Sequence, residues 1–133
     1  MGVSEEQAKK EVETVITNLE ITPFRHKPTH ALSGGQKKQV SIADILVMHP
    51  EVIFLDEPAA ALDPKHTRLV NQSVNRMTDN GITVVMSTHD VNYAYEWADE
   101  IVLFHEGNVL LQGIPTDVFR NHSALNNTNL DVP

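Results

Sequence analysis

Val52-Ile53-Phe54-Leu55-Asp56-Glu57-Pro58 is the stretch whose reading decides the fold. An apolar run led by β-branched residues predicts a short strand, 52–55, buried on both faces. Two adjacent carboxylates then stand at its C-terminal end. Open α/β sheets bind ligands at the C-terminal ends of their strands. Buried acids without a counter-charge are costly, and a Mg²⁺ ion carried by a nucleotide would supply one. The alternative is an exposed strand end whose acids are simply solvated.

Outward from this strand, the chain alternates helix and strand. Upstream, Ser4 with Gln7 three residues on is a helix-start signal, and Val12, Val15, Ile16 and Leu19 follow at helical spacing, predicting a helix over about 4–20. Pro23 and Pro28 mark 21–30 as loop. Ser33 is the N-cap of a second helix running to about Met48, with Val40, Ala43, Ile45, Leu46 and Val47 inward. Its opening, Leu32-Ser33-Gly34-Gly35-Gln36, lets a backbone or ligand approach closely, and its amides and positive dipole end suit an anion, phosphate above all.

Downstream, Asp63-Pro64 caps a third helix that closes at Asn80-Gly81. Residues 82–87 form a second buried strand ending in Thr88-His89-Asp90, where Asp90 caps a short helix through Trp97. Segments 101–104 and 109–112 flank Glu106-Gly107-Asn108 and predict a hairpin. A short helix follows from Ile114 to about Arg120, and the Asn-rich tail, 121–133, is expected to fray. Strand–helix–strand alternation from 52 to 104 predicts an α/β fold with a parallel sheet.

Composition narrows the function. The 133 residues suit one ordinary domain. Ten Lys+Arg against 18 Asp+Glu, a net charge of -8, argue against nucleic acid or an anionic membrane surface as the main partner. With no cysteine, disulfides and thiolate metal sites are excluded. No apolar run approaches the roughly 18 residues that span a bilayer. The acidic start, Met1 to Glu6, is neither a signal peptide nor a myristoylation site. The seven histidines do not predict a metal site, because Pro28 separates His26 from His30 and no Glu-x-x-His pattern occurs. Trp97 and Tyr93 are expected to pack, and Lys37-Lys38 is either a phosphate-steering pair or a plain surface pair.

The glycine-rich helix start, the Asp56-Glu57 pair and His89 at the end of the next strand together offer what phosphoryl transfer needs. Here the sequence resembles the ATP-binding cassette (ABC) ATPases. Leu32 to Gln36 matches their signature motif, Ile53 to Glu57 their Walker B, Ala60-Leu62-Asp63 their D-loop, and Thr88-His89-Asp90 their H-loop, in the family's order and spacing. Leu32 to Lys38 and Tyr95-Glu96-Trp97-Ala98-Asp99 look most like the ATPase subunits of cobalt/nickel and energy-coupling-factor vitamin importers.

The resemblance implies a partial P-loop NTPase core with part of the helical signature subdomain (1–49), the C-terminal part of a RecA-like core (50–120) with a β-hairpin, and the tail. It implies that Asp56 holds Mg²⁺, that Glu57 is the general base, and that His89 contacts the γ-phosphate. Ser33, Gly34, Gly35 and Gln36 would meet the ATP held by another subunit, and Asp63 would couple the two sites. Partners would be a second ATPase subunit and a transmembrane subunit, with the protein peripheral on the inner face of the cell membrane.

Departures from the pattern are equally specific. No Gly-x-x-x-x-Gly-Lys-Ser/Thr occurs, so the loop that cradles the β- and γ-phosphates of ATP is not in these residues. The expectation is therefore the C-terminal half of a longer ATPase, inactive by itself. Its two strands, short of a neighbour, should bare edges and apolar faces and associate. A truncated paralogue that donates 33–36 to a partner ATPase is the alternative. Gln39 stands where the family usually has Arg, Asp44 where a small residue is usual, and Ala59-Ala60-Ala61 where Thr or Ser with Gly or Ser is usual.

Overall fold

The structure of the chain, a computed structural model, describes residues 2–121, 125, 126 and 128. It divides into two compact units, Met1–Met86 and Ser87–Pro133. The division at 49/50 implied by the resemblance falls inside the first of them.

The first unit holds α1 (Glu5–Asn18), α2 (Gly34–Leu46), β1 (Val52–Asp56), α3 (Pro64–Asp79) and most of β2 (Thr83–Ser87). Each helix begins as its cap residue dictates. Ser4 accepts from the Gln7 amide, Ser33 from Gln36, and Asp63 from Lys65 and His66. β1 and β2 form one two-stranded parallel sheet linked through α3. Ile42, Ile53, Val70 and Met77 are buried together with Leu19, Ile21, Phe24 and Leu32. The proline-bearing stretch is therefore not plain loop: it carries two 3-10 turns, Thr22–Phe24 and Thr29–Ala31, and plugs the core with Ile21 and Phe24.

The C-terminal end of α1 has no basic residue of its own in the last turn. Local amides meet the Val15, Ile16 and Thr17 carbonyls, and those of Asn18 and Leu19 are met from elsewhere. Gln39, buried in α2, donates Nε2 to the Leu19 carbonyl at 2.9 Å, and the Arg76 guanidinium of α3 donates to the Asn18 carbonyl. Gln39, in the family's arginine position, thus finds a full structural role, while Asp44 faces solvent and needs no buried partner.

One expectation fails. β1 is buried on one face only: Ile53 is 4% exposed and Leu55 half-buried, whereas Phe54 on the other face is 77% exposed. Val52 and, on β2, Val85 are exposed too. An unbroken apolar run encodes two buried faces only where both have a cover, and among the described residues one face has none. The bared apolar face agrees with the expectation for strands short of a neighbour.

The second unit holds α4 (Val91–Trp97), β3 (Ile101–His105), β4 (Asn108–Gly113) and α5 (Pro115–Arg120). β3 and β4 pair antiparallel through Glu106-Gly107, both at positive φ (47° and 77°), the requirement of a two-residue hairpin turn. Leu103, Val118, Phe119 and Leu125 form the core. Leu125 is buried and its amide donates to the Asn121 carbonyl, so the tail packs at that point rather than fraying; 122–124, 127 and 129–133 lie outside the described residues. Tyr93 and Trp97 stack with centroids 5.8 Å apart, as expected of packing residues. Burial, with the Asp90 charge second, pushes the Tyr93 hydroxyl up to about 12.

Candidate functional site

Seven of the eight predicted site residues lie in the first unit, at the start of α2 and along the turn from β1 to α3. His89 lies in the second unit, exposed, two residues past the end of β2.

The start of α2 is a complete capping box. The Gln36 amide donates to Ser33 Oγ at 3.2 Å, and the Ser33 amide donates to Gln36 Oε1 at 3.0 Å. Two of the site's polar side chains are thereby turned on each other, and the Lys37 amide donates to the Ser33 carbonyl. The amides of Gly34 and Gly35 have no acceptor among the described residues. At a helix N-terminus such donors suit an anionic oxygen.

Gly35 is buried for a visible reason. A Cβ there would lie 2.2 Å from His66 Cδ2 and 2.9 Å from His66 Cβ, whereas at Gly34 it would meet nothing within 4 Å. The glycine is needed so that α2 and α3 can approach. His66 is held in turn: its Nδ1 lies 2.5 Å from Asp63 Oδ2, while Asp63 Oδ1 accepts from the Lys65 and His66 amides. The His66 side chain, followed by its amide, holds the Asp63 carboxyl below the usual carboxylate range. Asp63 is thus N-cap and ring anchor at once, and the ring connects it to Gly35.

The turn after β1 carries Asp56, exposed, and Glu57, half-buried. Glu57 adopts a left-handed conformation (φ 43°), as does Ala61 (φ 58°). Pro58 is buried, and the Ala60 amide donates to the Glu57 carbonyl. Lys38 of α2 reaches into this turn and donates Nζ to the carbonyls of Glu57 (3.0 Å), Pro58 (2.8 Å) and Ala60 (3.1 Å). Of the two expected readings of Lys38, phosphate steering or surface charge, neither matches: it is a backbone clamp.

Lys38 and His66 are the residues that sequence reasoning missed. His66 carried a usable signal, three residues past an Asp N-cap. Lys38 carried none, because its acceptors lie 19 to 22 positions away.

The donor set fits part of a Mg²⁺–nucleotide. A strand-end carboxylate such as Asp56, completed by phosphate oxygens and water, is a Mg²⁺ environment, and the two glycine amides suit a phosphate oxygen. Among the described residues no three His, Asp or Glu side chains gather into a metal cage, so any Mg²⁺ here would depend on substrate oxygens.

Known proteins match the chain along its whole length. The ABC transporter family profile matches residues 1–60. The energy-coupling factor transporter ATP-binding protein EcfA of Methanocaldococcus jannaschii is 38% identical over 133 residues, covering all of this chain and 48% of the relative. EcfA2 of Clostridium perfringens is 38% identical over 134 residues, covering 47% of that protein. The solved structure of cbiO1 from Clostridium perfringens, described as part of the ABC transporter complex cbiONQ, superposes with a TM-score of 0.79 at 38% identity. It is matched over all of this chain and 53% of its own. An ATP-binding cassette in its ADP conformation shares the fold alone, with a TM-score of 0.79 at 22% identity over 93% of this chain and 50% of that one. The chain spans about half the length of the relatives it matches.

Proposed function

Because the chain belongs to the ABC transporter family of ATP-binding proteins, we propose that it supplies the signature helix and the general base of an ATPase that drives an importer. The transported species would be cobalt, nickel or a vitamin. The observation that carries this reading is Asp56-Glu57 at the C-terminal end of β1, in a chain that EcfA matches along its whole length.

In this reading Glu57 takes a proton from water as its oxygen attacks the γ-phosphorus and the bond to ADP breaks. Asp56 would hold the Mg²⁺, which when bound neutralises charge on the phosphates. The Gly34 and Gly35 amides would face the γ-phosphate held by a partner ATPase subunit. His89 contacts the γ-phosphate, and Asp63 couples the two nucleotide sites. The assembly sits on the inner face of the membrane through a transmembrane partner. No helix among the described residues is long and apolar enough to cross a membrane.

By itself the chain does not hydrolyse ATP, for it contains no phosphate-cradling loop. The test is to assemble it with the phosphate-loop half of the M. jannaschii EcfA and follow phosphate release. Turnover should appear and vanish in Glu57→Gln; a Glu57→Gln assembly as fast as wild type overturns the proposal. If no turnover appears in any assembly, the second reading gains: a non-catalytic module that lends 33–36 to a partner ATPase. The bared face at Val52, Phe54 and Val85 supports association of the chain under either reading. Sedimentation velocity showing a monomer at tens of micromolar would overturn that.

A further inference from the structure

The turn that carries Glu57 is supported from outside itself. Glu57 and Ala61 both occupy the left-handed region, which is uphill for any residue with a Cβ. Within the turn the Ala60 amide donates to Glu57 and the Leu62 amide to Ala59. A further hold comes from α2. An ammonium has three protons to donate, and three carbonyls of this one turn lie within 3.1 Å of Lys38 Nζ. One of these belongs to Glu57 itself, so the clamp acts on the backbone that aims its carboxylate.

Lys38 also lies five residues after Ser33, on the same rigid helix whose first amides face outward at Gly34 and Gly35. The other end of the turn is tied to that helix as well, through Asp63, His66 and the close approach at Gly35. The helix start and the Glu57 turn are therefore one mechanical piece.

We infer that Lys38 is a positioning residue for Glu57: it fixes the turn that directs the carboxylate, and it makes that direction depend on where the start of α2 sits. The inference rests on the reading of Glu57 as the general base. An anion drawn onto the start of α2 would then be felt at Glu57 of the same chain, without any contact between them.

Two measurements test it. In the 133-residue chain, Lys38→Met keeps the stem length and removes all three donors. Amide hydrogen exchange at Ala60 and Leu62 should speed up about tenfold or more, since a charged hydrogen-bonding group is lost from a local closing equilibrium. The Ile21 amide, bonded to Ile16 far from the turn, should be unaffected. Unchanged exchange at Ala60 and Leu62 overturns the clamp. Should Lys38→Met unfold the chain, Lys38→Gln, neutral and shorter but still a donor, gives the same reading with a smaller increase.

In the ATP-hydrolysing assembly, Lys38→Met should lower kcat about 10-fold to 100-fold, the effect of a misaimed base, with KM for ATP within about twofold. Added to Glu57→Gln it should cost nothing further. Wild-type turnover with an unchanged kcat in Lys38→Met overturns the positioning role. No turnover from the wild-type assembly sinks the general-base reading instead, and the exchange data then decide the clamp alone.

Discussion

The turn after β1 and the turn after β2 start alike and are held differently. Each follows a short parallel strand, carries a polar residue proposed for nucleotide chemistry, and ends at an aspartate that caps a helix. After β2 two short-range bonds shape the backbone: the Asp90 amide donates to Thr88 Oγ1 at 3.0 Å and the Tyr93 amide to Asp90 Oδ1 at 3.0 Å. After β1 the backbone is held from another helix, by Lys38 on three carbonyls and by the His66 ring wedged between Asp63 and Gly35. A turn of the first kind is written in four or five consecutive residues. One of the second kind exists only once α2 has docked, so its geometry can be changed from a distance.

The sharpest way to break the contrast is Gly35→Ala. Its Cβ would drive into the His66 ring and also into that residue's own Cβ, so the helices must part. Overpacking of this sort costs about 2–3 kcal/mol, measurable by urea denaturation, and the penalty should shrink in a His66→Gly background, which removes the Cβ 2.9 Å away as well as the ring. Asp90→Ala should cost about 1 kcal/mol, the worth of one N-cap, and leave amide exchange in the first turn unchanged.

Acid should separate the two turns next. Asp63 is held below its ordinary value, so in the unfolded chain it binds its proton more readily than in the folded one. Its contribution is complete above the usual carboxyl range, near pH ~4, and is lost as pH falls through the depressed folded value. Glu13, held low by the Arg25 guanidinium, adds a loss of the same sign. Melting temperature should therefore drop below about pH 4, and less steeply in Asp63→Asn; an identical slope would show that Asp63 is not coupled to folding. The smallest effect is Gly34→Ala. Open space surrounds that position, so relief of backbone entropy should stabilise the chain by about 0.5 kcal/mol.

The same contrast explains what was legible in the sequence. Ser4, Ser33, Asp63 and Asp90 were all readable as caps, because a cap is satisfied within three residues. So were the hairpin turn and the carboxylate pair at a strand end. The clamp of Lys38, the burial of Gln39 against Leu19 and the wedge of His66 on Gly35 were not. Each joins residues 19 to 31 positions apart, and nothing in local spacing marks them. The exposed face of β1 was misjudged for a related reason: Val52 and Phe54 are apolar whether or not a cover is present, so composition alone cannot report it.

The end of α1 carries a kinetic consequence. Its last two carbonyls, those of Leu19 and Asn18, take donors from Gln39 and Arg76, the latter 58 residues downstream. A peptide of the first twenty residues would lack both, along with the apolar cover supplied by 21–46, and helices that short are marginal in water. The first helix in the chain is then among the last to be secured, waiting for α3 to be synthesised and docked before its end is closed.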